Sequence, residues 1–97
     1  MSGPAELHPI AASKASAEKH LASARGYHSR SRQGGELEDL ALDAIIYAHR
    51  AISLFEDAQR LASIGKAHVM TLARAATMLE STEQTLMQAA VVFSNEE

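Results

Sequence analysis

The chain has 97 residues and a net charge of −3, which fits one small domain and argues against a nucleic-acid binder, since such a protein needs a basic face. Hydrophobic residues make up 46% of the chain, but many are alanine, and the aromatic residues are two tyrosines and two phenylalanines. Such a core is thin, so stability must come from close helix packing or from a partner.

The composition also bears on the cellular compartment. The chain has no cysteine, which excludes disulfides and cysteine-bound zinc and fits a reducing compartment. No apolar run approaches the roughly 20 residues of a membrane span, and residues 1–6 lack the pattern of a secretion signal. We therefore expect a cytoplasmic protein without an integral membrane segment.

The first predicted helix covers about residues 9–28, with Pro9 in its first turn, where a missing N–H costs nothing. Lys14 interrupts its apolar stripe, which consists of Ile10, Ala17, Leu21 and Ala24. A polar connector that ends in two glycines follows over residues 29–35. The basic residues around this connector could meet a phosphate or an acidic partner, but we expect a solvated loop.

The second predicted helix covers about residues 36–62, and acidic residues favour its N-terminus. Two neighbouring faces of this helix are apolar, so it should be the central member of a three-helix arrangement. Ile46 lies among charged residues on the opposite face and is a candidate contact point. The two apolar faces consist of Leu40, Ala44, Tyr47, Ala51, Leu54, Ala58 and Leu61, and of Leu37, Ala41, Ala48, Ile52, Phe55 and Ala62.

A short turn over residues 63–66 forces the second and third helices to lie antiparallel, with Gly65 suited to the left-handed position after the helix end. The third helix should cover about residues 67–93 and span about 40 Å. We expect it to extend past the first helix, with Met87, Val91, Val92 and Phe93 on the overhang. The predicted fold is all-α, a three-helix up-down-up antiparallel bundle with a long third helix.

One acid interrupts the predicted apolar stripe of the third helix. Glu83 stands among apolar residues spaced three and four apart, and Glu80 lies one turn before it. Glu83 could be solvated at the edge of the stripe, paired inside the bundle, or aimed at a cationic partner. With Leu79 between the two acids, this surface suits an amphipathic peptide that carries leucines and a basic residue. The stripe consists of Val69, Leu72, Ala76, Leu79, Glu83, Leu86, Ala90 and Phe93.

No catalytic or metal-binding pattern occurs in the chain. The five histidines lack the His-x-x-x-His and Glu-x-x-His spacings of metal-binding helices. Nucleophile elbows, phosphate loops and dinucleotide fingerprints are also absent. We expect a non-catalytic protein with no cofactor and no metal site.

Two segments resemble the MIT (microtubule-interacting and transport) domain. Residues 41–58 read ALDAIIYAHRAISLFEDA and are similar to the second helix of that family. Residues 74–83 read RAATMLESTE and resemble its third-helix signature, basic-Ala-x-x-Tyr-Leu-x-Arg-Ala-Glu. Met78 stands in place of the usual tyrosine, and Ser81 and Thr82 stand in place of Arg-Ala.

The resemblance implies an adaptor that binds a helical or extended tail peptide beside its third helix. Leu79 would be the groove residue and Glu83 the acid that meets a basic residue, with Glu80 assisting. The partners would be tails of ESCRT filament proteins or autophagy components, which would recruit the domain to endosomal or autophagic membranes. We expect the partner to lie in a groove between the second and third helices. The predicted binding residues are Leu72, Ala76, Leu79, Glu80, Glu83 and Leu86.

Other interpretations remain open at this point. The third helix could bury its apolar end against a second copy, which would make the chain a structural oligomerisation element. The chain could also be a helical secretion chaperone. A module of this kind usually precedes other domains, so we expect a fragment of a longer protein.

Overall fold

The computed structural model describes the backbone of residues 3–96 and the side chains of residues 7–96. This part of the chain forms three helices of 28 residues each, α1 (Gly3–Arg30), α2 (Glu36–Ser63) and α3 (Val69–Glu96). The predicted all-α, up-down-up bundle is confirmed, and its third helix is long. Each connector has five residues, so successive helices are antiparallel and α1 and α3 run in the same direction.

α2 is the central helix, as predicted. α1 and α3 both contact it far more than they contact each other. The residues of α2 that face its neighbours are mostly alanines spaced three and four apart, which lets the helix axes approach to about 8 Å. Larger residues such as Leu40 and Leu54 flank this line and are half-buried. The buried residues of α2 are Leu37, Ala41, Ala44, Ala48, Ala51, Phe55, Ala58 and Ala62.

α1 begins earlier than the sequence pattern predicted. Pro9 lies inside the helix, six residues after its start, so the expected start at Pro9 is wrong. Leu7, which precedes the proline, packs against the main hydrophobic cluster, and this contact favours helix before Pro9. The buried residues of α1 are the predicted Ile10, Ala17, Leu21 and Ala24. Lys14, which interrupts this stripe, reaches Glu56 of α2 with its Nζ 3.1 Å from Oε2.

The buried face of α3 lies one residue earlier than predicted. Ala75, Thr82 and Ala89 are fully buried, whereas Ala76, Glu83 and Ala90 of the predicted stripe are exposed. The leucines of that stripe flank the buried line and are half-buried. Thr82 donates its hydroxyl to the carbonyl of Met78 within the same helix, so its burial leaves no unpaired group.

The turn between α2 and α3 matches its prediction. Gly65 follows the helix cap with φ +72°, and its N–H donates to the carbonyl of Ala62. The N–H of Lys66 donates to the carbonyl of Leu61 at 2.8 Å. These two bonds form a Schellman motif, which satisfies the last carbonyls of α2.

The predicted overhang of α3 is wrong, because α1 has the same length as α3. The ring of Phe93 meets the ring of Tyr27 edge to face, with centroids 5.7 Å apart. The guanidinium of Arg30 lies 5.7 Å from the centroid of the same ring. These contacts close the end of the bundle where α1 and α3 finish. Met87 and Val91 remain exposed on α3.

Candidate functional site

A seam runs between α1 and α3, because these helices contact each other much less than they contact α2. It holds a small depression of about 270 Å³ beside Leu72 and a larger one of about 510 Å³ beside Glu83. We call the larger depression the α1–α3 groove. Its lining residues are His20, Ser23, Tyr27, Glu83, Leu86, Met87 and Ala90.

Glu83 stands at the rim of the α1–α3 groove. Its Oε2 lies 3.1 Å from Nε2 of His20 on α1, and its side chain is 49% exposed. The acid is therefore paired at the edge of the bundle, half in contact with water. This arrangement combines two of the three alternatives that the sequence left open, since Glu83 has a partner and stays solvated.

The predicted binding residues do not all lie in one place. Glu83 and Leu86 line the α1–α3 groove, and Leu72 lines the smaller depression of the same seam. Leu79 is half-buried and packs against the main hydrophobic cluster.

Ala76 and Glu80 line neither depression of the seam. Both are exposed, and Oε1 of Glu80 accepts a hydrogen bond from Gln84 at 3.4 Å. Glu80 therefore does not share the rim with Glu83.

The predicted location of this site between α2 and α3 is wrong. The one-residue shift of the buried face turns Glu83 and Leu86 towards α1. A groove of about 630 Å³ does lie between α2 and α3, but other residues line it. We call it the α2–α3 groove, and its lining residues are His49, Arg50, Ser53, Leu54, Met70, Ala73, Arg74, Thr77 and Met78.

The sequence did not show the contribution of α1, nor which residues line the groove between α2 and α3. His20 and Tyr27 were not predicted as site residues, because nothing in the spacing of α1 shows which residues of α3 it meets. Met70, Arg74 and Thr77 are spaced four and three apart, so a search for polar residues sharing a helix face with methionine would have found one wall.

Within the described residues, no group of three or more histidine, cysteine or acidic side chains could hold a metal ion. In the same part of the chain, no helix is both long enough and apolar enough to cross a bilayer.

Comparisons with protein-family models, with curated proteins and with solved structures gave no match for this chain.

Proposed function

We propose that this chain is a non-catalytic protein-interaction module, similar to an MIT domain, which binds a leucine- and arginine-bearing segment of a partner along the seam between α1 and α3. The observation that carries this proposal is the lining of the α1–α3 groove. Leu86, Met87 and Ala90 of α3 and the ring of Tyr27 of α1 lie around one half-exposed carboxylate, that of Glu83. Apolar pockets with a single charged group at the rim favour amphipathic segments of opposite charge.

The row of leucines on α3 sets the length of the partner segment. Leu72, Leu79 and Leu86 are seven residues apart, or about two helical turns, so they lie in one row along the seam. This row extends over about 21 Å. About six extended residues or four turns of helix would cover it. The two depressions lie at its ends, beside Leu72 and Leu86.

The charge of the partner follows from the pairing of Glu83. A guanidinium presents several donors in a planar fork and can bind both carboxylate oxygens, whereas His20 reaches one. An arginine of the partner would therefore replace or join His20 at the rim. By the family resemblance, the segment would come from the tail of an ESCRT filament protein or an autophagy component. Such a partner would bring the module to an endosomal or autophagic membrane.

Charge reversal at the rim tests this proposal. Glu83→Lys should weaken binding of a leucine/arginine tail peptide about tenfold, because one attraction becomes a repulsion. Isothermal titration measures this effect. Glu80→Lys is the matched control, since it makes the same charge change on α3 outside the groove. If both variants bind every such peptide as tightly as the unmodified chain does, the assignment of the groove is wrong.

A second candidate function is self-association through α3. Met87 and Val91 lie one turn apart on this helix, and their side chains are 69% and 60% exposed. An apolar pair of this kind could seat a second copy, which would make the chain an oligomerisation element or a helical chaperone. The oligomeric state separates this function from the first.

A further inference from the structure

We propose that the turn between α2 and α3 is a membrane-contact site, which binds the surface of an anionic phospholipid bilayer. We call this site the turn end, and it consists of residues 64–70. This inference goes beyond the function proposed above, because it needs no protein partner and none of the residues that line the α1–α3 groove. Glu83, at the rim of that groove, lies about 21 Å along α3 from Val69.

Large apolar side chains cluster on the surface of the turn end. Ile64, Val69 and Met70 are 60%, 72% and 70% exposed, so three of the seven exposed large apolar residues of the described chain fall within this short segment. Helical side chains lean towards the N-terminus of their helix, so Val69 and Met70, the first two residues of α3, lean towards the end of the bundle. Such a tip suits the interfacial layer of a bilayer, which receives apolar side chains without a matching cavity.

The charge around the turn end favours an anionic surface. No acid occurs between Asp57 and Glu80, although the chain has 12 acidic residues. Lys66 and Arg74 lie in this interval, and none of the ion pairs among the described side chains includes either of them. Asp57 itself is held by Arg60 at 3.1 Å. The turn end and the first turns of α3 therefore present two positive charges, which attract anionic headgroups.

The other charges of the bundle leave this end positive. Two helix N-termini, those of α1 and α3, and one C-terminus, that of α2, meet here, so the helix dipoles add a partial positive charge. Glu6 lies near the start of α1 at the same end and offsets one of the cations. The acids in the first turn of α2 lie about 40 Å away, beyond the screening length of about 10 Å at 0.1 M salt. A chain with a net charge of −3 can bind an anionic bilayer only through an oriented contact, and the turn end supplies one.

The shape of the bundle sets the strength of this contact. The molecule is 52 Å long and 17 Å wide, so an end-on contact covers only a few headgroups. The Schellman motif at Gly65 fixes the backbone of the turn and holds the apolar and basic side chains beside each other. Apolar insertion and electrostatic attraction each give weak membrane binding, and the two together give a reversible but measurable association.

Flotation with vesicles tests the site. The probes are vesicles of phosphatidylcholine with about 30% phosphatidylserine, and vesicles of phosphatidylcholine alone. At about 0.1 M salt the chain should float with the first and not with the second, and raising the salt to about 0.5 M should lower the bound fraction at least threefold. Soluble glycerophosphoserine at the same headgroup concentration should not displace the chain, because it offers no apolar layer.

A matched pair of double variants tests the apolar part of the contact. Ile64→Ser combined with Val69→Ser should lower the bound fraction about fivefold, since two inserting side chains are lost. Ile46→Ser combined with Val91→Ser replaces the same two residue types at exposed positions away from the turn end, and should change binding less than twofold. Thermal unfolding of both double variants checks that each one is folded.

A second pair of double variants tests the charge. Lys66→Gln combined with Arg74→Gln should weaken binding about tenfold, because each basic residue at an anionic surface contributes about fivefold. Arg25→Gln combined with Arg32→Gln makes the same change in net charge at exposed positions around the α1–α2 connector, and should alter binding less than twofold.

A fluorescent label reports insertion directly. The chain has no cysteine, so Met70→Cys and Met87→Cys each give one site for an environment-sensitive dye. The two methionines are similarly exposed on the same helix. On phosphatidylserine vesicles the dye at position 70 should brighten and shift its emission to shorter wavelength, and the dye at position 87 should not.

Several results would overturn the inference. They are absence of flotation with phosphatidylserine vesicles at low salt, equal bound fractions within either pair of double variants, and an unshifted dye at position 70. Displacement by glycerophosphoserine would also overturn it, since the ligand would then be a free headgroup. None of these results bears on the α1–α3 groove, which is tested with peptides and Glu83→Lys.

Discussion

Neighbouring residues on α3 differ in exposure, because the helix turns one line of residues towards the bundle interior and the next line away from it. Ala75 is 0% exposed, while Ala76 beside it is exposed. Thr82 is buried while Glu83 stands at the rim of a groove. Where two helix axes approach closely, only small side chains fit on the line of contact, and larger side chains lie to either side.

Enlarging these adjacent alanines tests the register of α3. Ala75→Leu should destabilise the fold by about 1 to 3 kcal/mol, since the added atoms force α2 and α3 apart. Ala76→Leu should change stability by less than about 0.5 kcal/mol, because its side chain points to solvent. Urea unfolding measures both variants. A larger loss for Ala76→Leu than for Ala75→Leu would mean that α3 is rotated from the orientation described above.

Local hydrogen bonds and backbone conformation fix both ends of α2. α2 begins after Gly35, and the carboxylate of Glu38 accepts a hydrogen bond from the N–H of Gly34 at 2.9 Å. It finishes in the Schellman motif at Gly65, whose φ is +72°. Both signals are local in the sequence, so the bounds of α2 were predicted within one residue. The start of α1 was not, because the contact of Leu7 with the core is not local.

A matched pair of glycine substitutions tests this account of the turn. A Cβ added at Gly65 or at Gly26 would meet no atom within 4 Å, so the two sites differ only in backbone conformation. Gly65→Ala should lower stability by about 1 kcal/mol, or about 5 °C in Tm, because of the left-handed φ. Gly26→Ala lies in the helical backbone of α1 and should raise stability by about 0.5 to 1 kcal/mol. Thermal unfolding followed by circular dichroism measures both shifts, and a loss of stability for Gly26→Ala equal to that for Gly65→Ala would contradict the account.

At the scale of the whole molecule, the order of the helices could be predicted from the sequence and their rotation could not. Short connectors and two apolar faces on the second helix suffice to place it in the centre. The rotation of α3 was missed because the pair Ala75 and Ala89 cannot be told from the pair Ala76 and Ala90 by residue type, so the leucines decided the prediction. The leucine-rich stripe is the more hydrophobic, so periodicity favoured it, whereas close packing selects the smaller side chains. The position of the α1–α3 groove could not be predicted without knowing how α3 is rotated.

We expect the molecule to be a monomer in solution. If the α1–α3 groove serves a partner of other sequence, light scattering at about 100 µM should give the mass of one chain, 10.4 kDa. Replacing the exposed apolar pair by Met87→Ser and Val91→Ser should then leave that mass unchanged. A dimer that these two substitutions dissociate would instead favour the oligomerisation element.

α2 is the helix on which both outer helices pack, and this affects how the bundle unfolds locally. α1 and α3 each make most of their contacts with α2 and few with each other, so separating the two outer helices along the seam breaks few contacts. Amide hydrogens on the buried side of α2 should exchange with solvent only on global unfolding, while those along the seam exchange through smaller openings. A segment that binds in the seam therefore contacts two helices, α1 and α3, that are each held by α2 and little by each other. A bulkier segment should separate these two helices further.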